Sequence, residues 1–405
     1  MISTLKRIIL GLAVVTLPSL AWGAQEIPIG IVLPMSGPLA KVGLTNLWGH
    51  ELAVEDINAA GGIKAMGGAK LKLIVADSQG KPEIGNSETE RLIREGVAAI
   101  MGAYQSAVSF TGTQVAERYK TPYLIPVSIA DKITKRGFKY TFRPESLASW
   151  FARDQFRAIR DFAKQSGVPV KRIAILYEDT LYGQSTAKGQ KRYAKEMGWE
   201  IVADISYPAE TLDMTATISK LKAAKPDVVV HNSYFNDSLL LARTSKELDF
   251  NPKAFFAAGA GPKDPNFAKQ LGKDAEYWLV ISEWNADMRR EGAAELGERF
   301  LKKFGQAMDG IAAMCYITTW VLKDALERAG SADREKLRDA LSKTDITSGP
   351  GAMVATGRIK FDENGQNDFT NLVTQIIDGT QRTVWPSEAA SRPVVFPIPP
   401  WKERK

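Results

Sequence analysis

Short apolar runs alternate along the chain with longer stretches in which apolar residues recur at helical spacing. Ile27 to Leu33 predicts a first strand, and Leu44, Trp48 and Leu52 mark one face of the helix after it. Leu71 to Ala76 predicts a second strand, and residues near Pro82 to Arg94 the next helix. Val97 to Met101, a helix after Ser106, and Tyr123 to Val127 continue the rhythm. Strands that read as unbroken apolar runs are those that helices cover on both faces. The alternation therefore predicts a parallel, doubly wound sheet.

The rhythm then restarts. Ala152, Phe156, Ile159 and Ala163 line one face of a helix, and Arg153, Arg157, Arg160 and Lys164 line the other. Strands are expected at Ile173 to Tyr177, Glu200 to Ile205, Val228 to Val230, Phe255 to Ala258 and Tyr277 to Ile281. Helices are expected from about Tyr182 to Met197, around Met214, Ile218 and Leu221, and near Leu239 to Leu248. Each α/β half has about the usual size of a domain. The chain is then helical at Phe300 to Phe304, Ile311 to Ala329 and Arg334 to Ser342, before strand-like Gly357 to Phe361 and Leu372 to Ile377. The proline-rich end, RPVVFPIPPW, cannot be helical and is expected as an extended strap on the surface.

The amino end changes this picture. Lys6 and Arg7 precede an apolar stretch, Ile8 to Leu20, that is short for a bilayer span. Ala21 and Gly23 then place small residues at −3 and −1 of a cleavage site before Ala24. Residues 1–23 are expected to be a signal peptide, and the remainder an exported protein. With 405 residues, 44% of them hydrophobic, the chain can bury substantial cores. The charge, 53 − 46 = +7, is scattered in both signs, which argues against a nucleic-acid surface. Cys315 is the only cysteine, so no internal disulfide forms; it sits at helical spacing among Ile311, Met314, Thr318 and Leu322, as a small buried hydrophobe would.

The residue types that carry chemistry are sparse. There are two histidines, and no motif for a metalloprotease, a serine nucleophile, a phosphate loop or a thiol pair. No catalytic residue, cofactor or metal site is expected. His50, beside Glu51, is expected to be exposed; His231 ends a strand and could face a cleft or make one structural hydrogen bond. In open parallel sheets ligands bind beyond the carboxyl ends of the strands, where helix N-termini offer free N–H groups. That rule selects Met35-Ser36-Gly37-Pro38, Tyr104-Gln105-Ser106 and Val127-Ser128-Ile129 in the first half. In the second half it selects Leu181-Tyr182-Gly183, Ser233-Tyr234-Phe235 and Gly259-Ala260-Gly261. Each has a plain alternative: Ser106 and Ser128 as caps or turn residues, Tyr182 and Tyr234 as rings packed on their own lobe, and Tyr104 as a cover for the strand end.

The segments IGIVLPMSGPLAKVG, AVEDINAAGGI, GAYQSAVSFTGTQVAERYKTPYLIPVS, RIAILYEDTLYGQS and KPDVVVHNSYFNDSLLLAR resemble the leucine/isoleucine/valine-binding family of periplasmic proteins. The resemblance covers nearly all of the chain after Ala24. It implies the type I periplasmic-binding-protein fold: two lobes joined by three crossovers, placed near Arg143 to Ser149, Ser282 to Ala286 and Asp345 to Gly357. Lobe 1 would comprise 24–145 and 284–350, and lobe 2 146–283 and 351–405. The family's ligand-carboxylate serine falls on Ser106, its ammonium-accepting backbone segment on Val127-Ser128-Ile129, and its lid tyrosines on Tyr182 and Tyr234. Tyr104 and Gln105 flank the serine. Ile129 stands where amino-acid binders of the family have a threonine, and Ala260 where they have a glutamate, with Asp264 a substitute only if the loop is shifted. A carboxylate or amide with an apolar or aromatic body still fits, with His231 and Arg143 as further polar contacts. The implied function is a monomeric, periplasmic solute-binding component of an ABC importer, partnered by a membrane permease and binding a small amino-acid-like, amide or carboxylate ligand. The rival reading is a sensor domain of the same fold that signals to a membrane partner.

Overall fold

The computed structural model describes residues 25–404, and each expected strand is found there. The expected signal peptide lies outside the described residues. The first half runs β1 (Glu26–Leu33), α1 (Ala40–Ala59), β2 (Lys70–Asp77), α2 (Pro82–Arg94), β3 (Ala99–Gly102), α3 (Ser106–Arg118), β4 (Tyr123–Leu124) and β5 (Thr141–Phe142). These strands form one wholly parallel sheet in the order β2-β1-β3-β4-β5. The chain leaves β1 toward β2 and then returns to its other side as β3, so the sheet has a switch point there. β5 was not expected; two residues are too few to carry a periodicity.

The second half runs α4 (Ala148–Ser166), β6 (Arg172–Glu178), α5 (Leu181–Glu196), β7 (Glu200–Tyr207), α6 (Thr215–Ala224), β8 (Val228–Asn232), α7 (Phe235–Glu247), β9 (Ala254–Ala257), α8 (Pro265–Leu271) and β10 (Leu279–Ser282). After it come α9 (Ala293–Phe304), α10 (Gly310–Ala329), α11 (Arg334–Ser342), the short pair β11 (Asp345–Ile346) and β12 (Ile359–Lys360), and the hairpin β13 (Leu372–Ile377) and β14 (Thr380–Trp385). The second sheet has the order β14-β13-β10-β9-β8-β6-β7, parallel from β6 to β10 with the hairpin added antiparallel. Its switch point is at β6 and β8.

Helices α9 to α11 return to the first lobe. Trp284, Phe300, Ile317, Leu322 and Leu341 share one core with Ile29, Ile31, Leu52 and Met101. The contact of α1 with α10 is close because position 49 is glycine: a Cβ there would lie 2.2 Å from the Ala312 carbonyl oxygen. The expected third crossover at 345–357, with lobe 2 resuming at 351, falls too early. Met353, Val354, Ile359, Phe361 and Phe369 are buried in the first lobe's core, and the Phe361 ring lies 5.4 Å from that of Phe142. Burial of these apolar side chains holds the chain on the first lobe until just before β13. The proline-rich tail is a strap, but an anchored one. Phe396, Ile398 and Trp401 are buried in the second lobe, Ile398 N–H donates to Lys253 O at 2.9 Å, and Trp401 Nε1 donates to Phe250 O at 2.8 Å.

His50 is wholly buried in α1, its Nδ1 2.8 Å from Thr319 Oγ1; the helix face it was expected to expose is covered by α10. Burial lowers the pKa of His50 and of His231 from 6.5 to about 3. Both rings are therefore neutral when folded and titrate normally when unfolded. Their contribution to stability is complete above pH 6.5 and is lost as pH falls toward 3. Asp237 and Asp309, which burial raises to about 7, act oppositely over much of this interval. His50→Gln should consequently shift the slope of the unfolding midpoint between pH 6.5 and 4, making the variant gain stability relative to wild type on acidification; parallel curves would show that His50 does not titrate on unfolding. Gly49→Ala, measured by urea unfolding, should destabilise by about 1–3 kcal/mol as α1 and α10 are pushed apart.

Candidate functional site

The carboxyl ends of the two sheets face each other across a cleft that the lobes nearly close, leaving a cavity of about 30 Å³. Ser106, the first residue of α3, lies on the first-lobe wall and is almost fully buried. Its Oγ accepts from Ala130 N–H at 3.2 Å, and its own proton has no acceptor among the described residues. No side chain caps the first turn of α3. The helix therefore presents unpaired N–H groups and its positive dipole end beside that hydroxyl.

Gln105 does not line the cleft. Its amide turns away and donates to Gly80 O at 2.9 Å, tying α3 to the loop after β2. Ser128 lies on the wall, but its hydroxyl points behind it: Oγ donates to Ala103 O at 2.7 Å and lies 2.6 Å from Ser109 Oγ. Ser128 offers the cleft backbone only, together with Val127 and Ile129. Arg143 is also behind the wall. Its buried guanidinium donates to Ser128 O at 3.1 Å, Ala130 O at 2.9 Å, Thr134 Oγ1 at 2.6 Å and Gln366 Oε1 at 2.6 Å. Burial without a paired carboxylate lowers its pKa to about 10, which leaves it charged at neutral pH. The arginine positions the 128–130 backbone and does not reach a ligand.

Three tyrosines bridge the cleft. Tyr104 of the first lobe meets Tyr234 of the second with ring centroids 5.7 Å apart, and Tyr234 meets Tyr182 at 5.4 Å. Burial raises all three phenols well above 10, so they remain neutral donors and acceptors. Tyr182 gives its proton to Ala258 O at 2.7 Å, within its own lobe, and is left as an acceptor. Glu178, at the end of β6, accepts from Thr180 N at 2.7 Å and Gly183 N at 2.6 Å, which fixes the start of α5 and the Tyr182 ring on it.

The opposite wall holds the residues that sequence reasoning missed. Phe151 of α4, Lys263 and Glu283 line the cleft there, and Ile311 of α10 lines it from the first lobe. Lys263 Nζ lies 2.5 Å from Glu283 Oε2 and 5.6 Å from the Phe151 ring centroid. Glu283 directly follows β10, so the rule of strand carboxyl ends could have selected it. Lys263 had no such signal, because it sits in a loop of irregular spacing. Asp264 is no substitute for a carboxylate here: it caps α8, accepting from Asn266 N at 2.8 Å. His231 is structural, with Nδ1 2.7 Å from Ser233 Oγ and its ring edge-on to Trp278. The opening motif's Pro38, Leu39 and Val42 line a smaller crevice beside Tyr104. Among the described residues no group of His, Cys, Asp and Glu is placed to hold a metal ion.

Two doubly wound lobes that meet over a cleft at their switch points define a binding protein. The periplasmic binding protein family matches residues 26–381, and the chain belongs to that family. It is 34% identical over 385 residues to the Leu/Ile/Val-binding protein homolog 7 of Brucella abortus (strain 2308), covering 92% of this chain and 95% of that one. The solved leucine-binding protein LivK of Thermotoga maritima superposes with a TM-score of 0.76 at 25% identity, over 88% of this chain and 97% of that one. LivJ of Streptococcus pneumoniae, a branched-chain amino acid transporter substrate-binding protein solved with isoleucine, has a TM-score of 0.77 at 23% identity, over 92% of this chain and 100% of that one. That last likeness speaks for the fold alone.

The internal bonds of Ser128 lead to a prediction about stability. Ser128→Ala should cost about 1–2 kcal/mol, because it removes the closer of two hydroxyl donors to the buried Ala103 carbonyl and leaves only Ser109 Oγ at 3.4 Å. Urea unfolding measures this loss, and an unchanged midpoint would show that the Ser128 hydroxyl is not held behind the wall.

Proposed function

We propose that the protein is the periplasmic solute-binding component of an ABC importer, holding a small carboxylate or amide ligand between its lobes. One observation carries the proposal: the Ser106 proton and the uncapped turn of α3 lie free in a cleft that aromatic rings from both lobes close over. A carboxylate would accept from that hydroxyl and from the N–H groups, where the helix dipole favours negative charge. Backbone of Val127 to Ile129 and the rings of Tyr104, Tyr182 and Tyr234 would enclose the remainder. Relatives named for leucine, isoleucine and valine support a ligand of this size.

Transport follows from closure. A ligand that touches both lobes only when they meet binds the closed form better, and so shifts the population toward it. The closed protein would present a joint surface of both lobes to a membrane permease. On this reading residues 1–23 direct export, and the periplasmic protein acts as a monomer.

A thermal-shift screen against amino acids, small amides and carboxylates tests the proposal. Ligand at ~100 times its dissociation constant should add about 2.7 kcal/mol of stability. Ser106→Ala should weaken the binding of the hit roughly tenfold or more, the usual loss for a hydrogen bond to a charged group. Unchanged affinity would remove Ser106 from the site.

A further inference from the structure

The wall across the cleft from Ser106 carries charge. Lys263 and Glu283 are nearly wholly buried there and ion-paired at 2.5 Å. Glu145, on the first crossover, is buried behind them; one of its oxygens accepts from Ser146 N, and the other has no partner. Burial and the neighbouring Glu283 carboxylate hold the Glu145 carboxyl well above its usual range.

An ammonium has three N–H donors. Lys263 directs one at Glu283 and lies over the face of Phe151. No other acceptor meets its Nζ among the described residues, although Lys263 lines the cavity. A buried donor without a partner is costly, and an oxygen on the ligand would complete it. A ligand ammonium in the same place would stand beside a like charge and compete with Lys263 for Glu283. The loop Gly259-Ala260-Gly261 offers it no other carboxylate.

We propose that Lys263 determines the specificity of the cleft by donating to an oxygen acceptor on the ligand end remote from Ser106. The ligand class is then a small apolar or aromatic carboxylate with a distal hydroxyl, carbonyl or carboxylate group, and not an α-amino acid. This inference rests on the cleft being the binding site.

Calorimetric titration of the purified protein with paired probes tests it: benzoate with 4-hydroxybenzoate, pentanoate with glutarate, and leucine and isoleucine beside them. In at least one pair the oxygen-bearing member should bind about tenfold or more tightly than its partner. Lys263→Met should abolish that preference. Because this variant leaves Glu283 buried and unpaired, the double variant Lys263→Met/Glu283→Gln, checked for folding by circular dichroism, should abolish it too. Tighter binding of leucine or isoleucine than of every carboxylate would overturn the inference while leaving the cleft as the binding site. So would a preference that survives in the folded double variant. If no compound of any class binds, the cleft reading itself fails and the inference falls with it.

Discussion

A buried guanidinium holds the binding wall in place. Arg143 stands on the first crossover, where the chain leaves the first sheet. It ties the backbone at Ser128 and Ala130 to Gln366, which lies close before the third passage. Its own N–H donates to Gly365 O, and Asn367 N–H donates to its carbonyl. Gln366 in turn donates to Glu145 O at 2.7 Å. Taking a charge out of water without an ion pair is expensive, and it is tolerated only when the donors find partners. Here the partners are carbonyls, a hydroxyl and an amide drawn from the cleft wall and the hinge. Each partner is therefore fixed relative to the others, and the wall that carries Ser106 is rigid where the two lobes join.

The cleft divides its work by chemistry. At the first lobe a helix N-terminus and one hydroxyl suit an anion. In the middle, neutral aromatic rings suit an apolar body. At the second lobe the ion pair of Lys263, in the segment after β9, with Glu283, after β10, adds charge to the wall. Lys263 and Glu283 approach through different elements, and the two anchor one edge of the cleft to the hinge. Tyr104 and Tyr234 meet across the opening, so contact between the lobes is made partly by the same rings that would enclose a ligand.

Much of this architecture was legible in the residue pattern. Buried parallel strands read as unbroken apolar runs, and β1, β3, β6, β8, β9 and β10 stood out for that reason. The strand-end rule placed Ser106, Tyr104, Val127, Ile129, Tyr182 and Tyr234 at one cleft, because topology alone sets which end of a parallel sheet is open. What could not be read was the direction of each polar side chain. Gln105 and Ser128 stand at cleft-edge positions, yet both spend their hydrogen bonds on their own lobe. His50 looked exposed because its covering helix, α10, is distant in sequence. The third passage between lobes was placed too early, since residues 353–369 bury against a core assembled from remote segments.

The sequence by itself determined the two-lobed α/β architecture and the edge at which a ligand would sit. Both follow from local periodicity and from the handedness and polarity of parallel strands, which few residues suffice to specify. Only the tertiary structure decided which polar groups face the cleft. The pairing of Lys263 with Glu283, the burial of Arg143 behind Ser128 and the donation of the Tyr182 proton to Ala258 join residues 20, 15 and 76 positions apart, on separate segments. Such contacts are set by the packing of whole elements, and no local pattern encodes them.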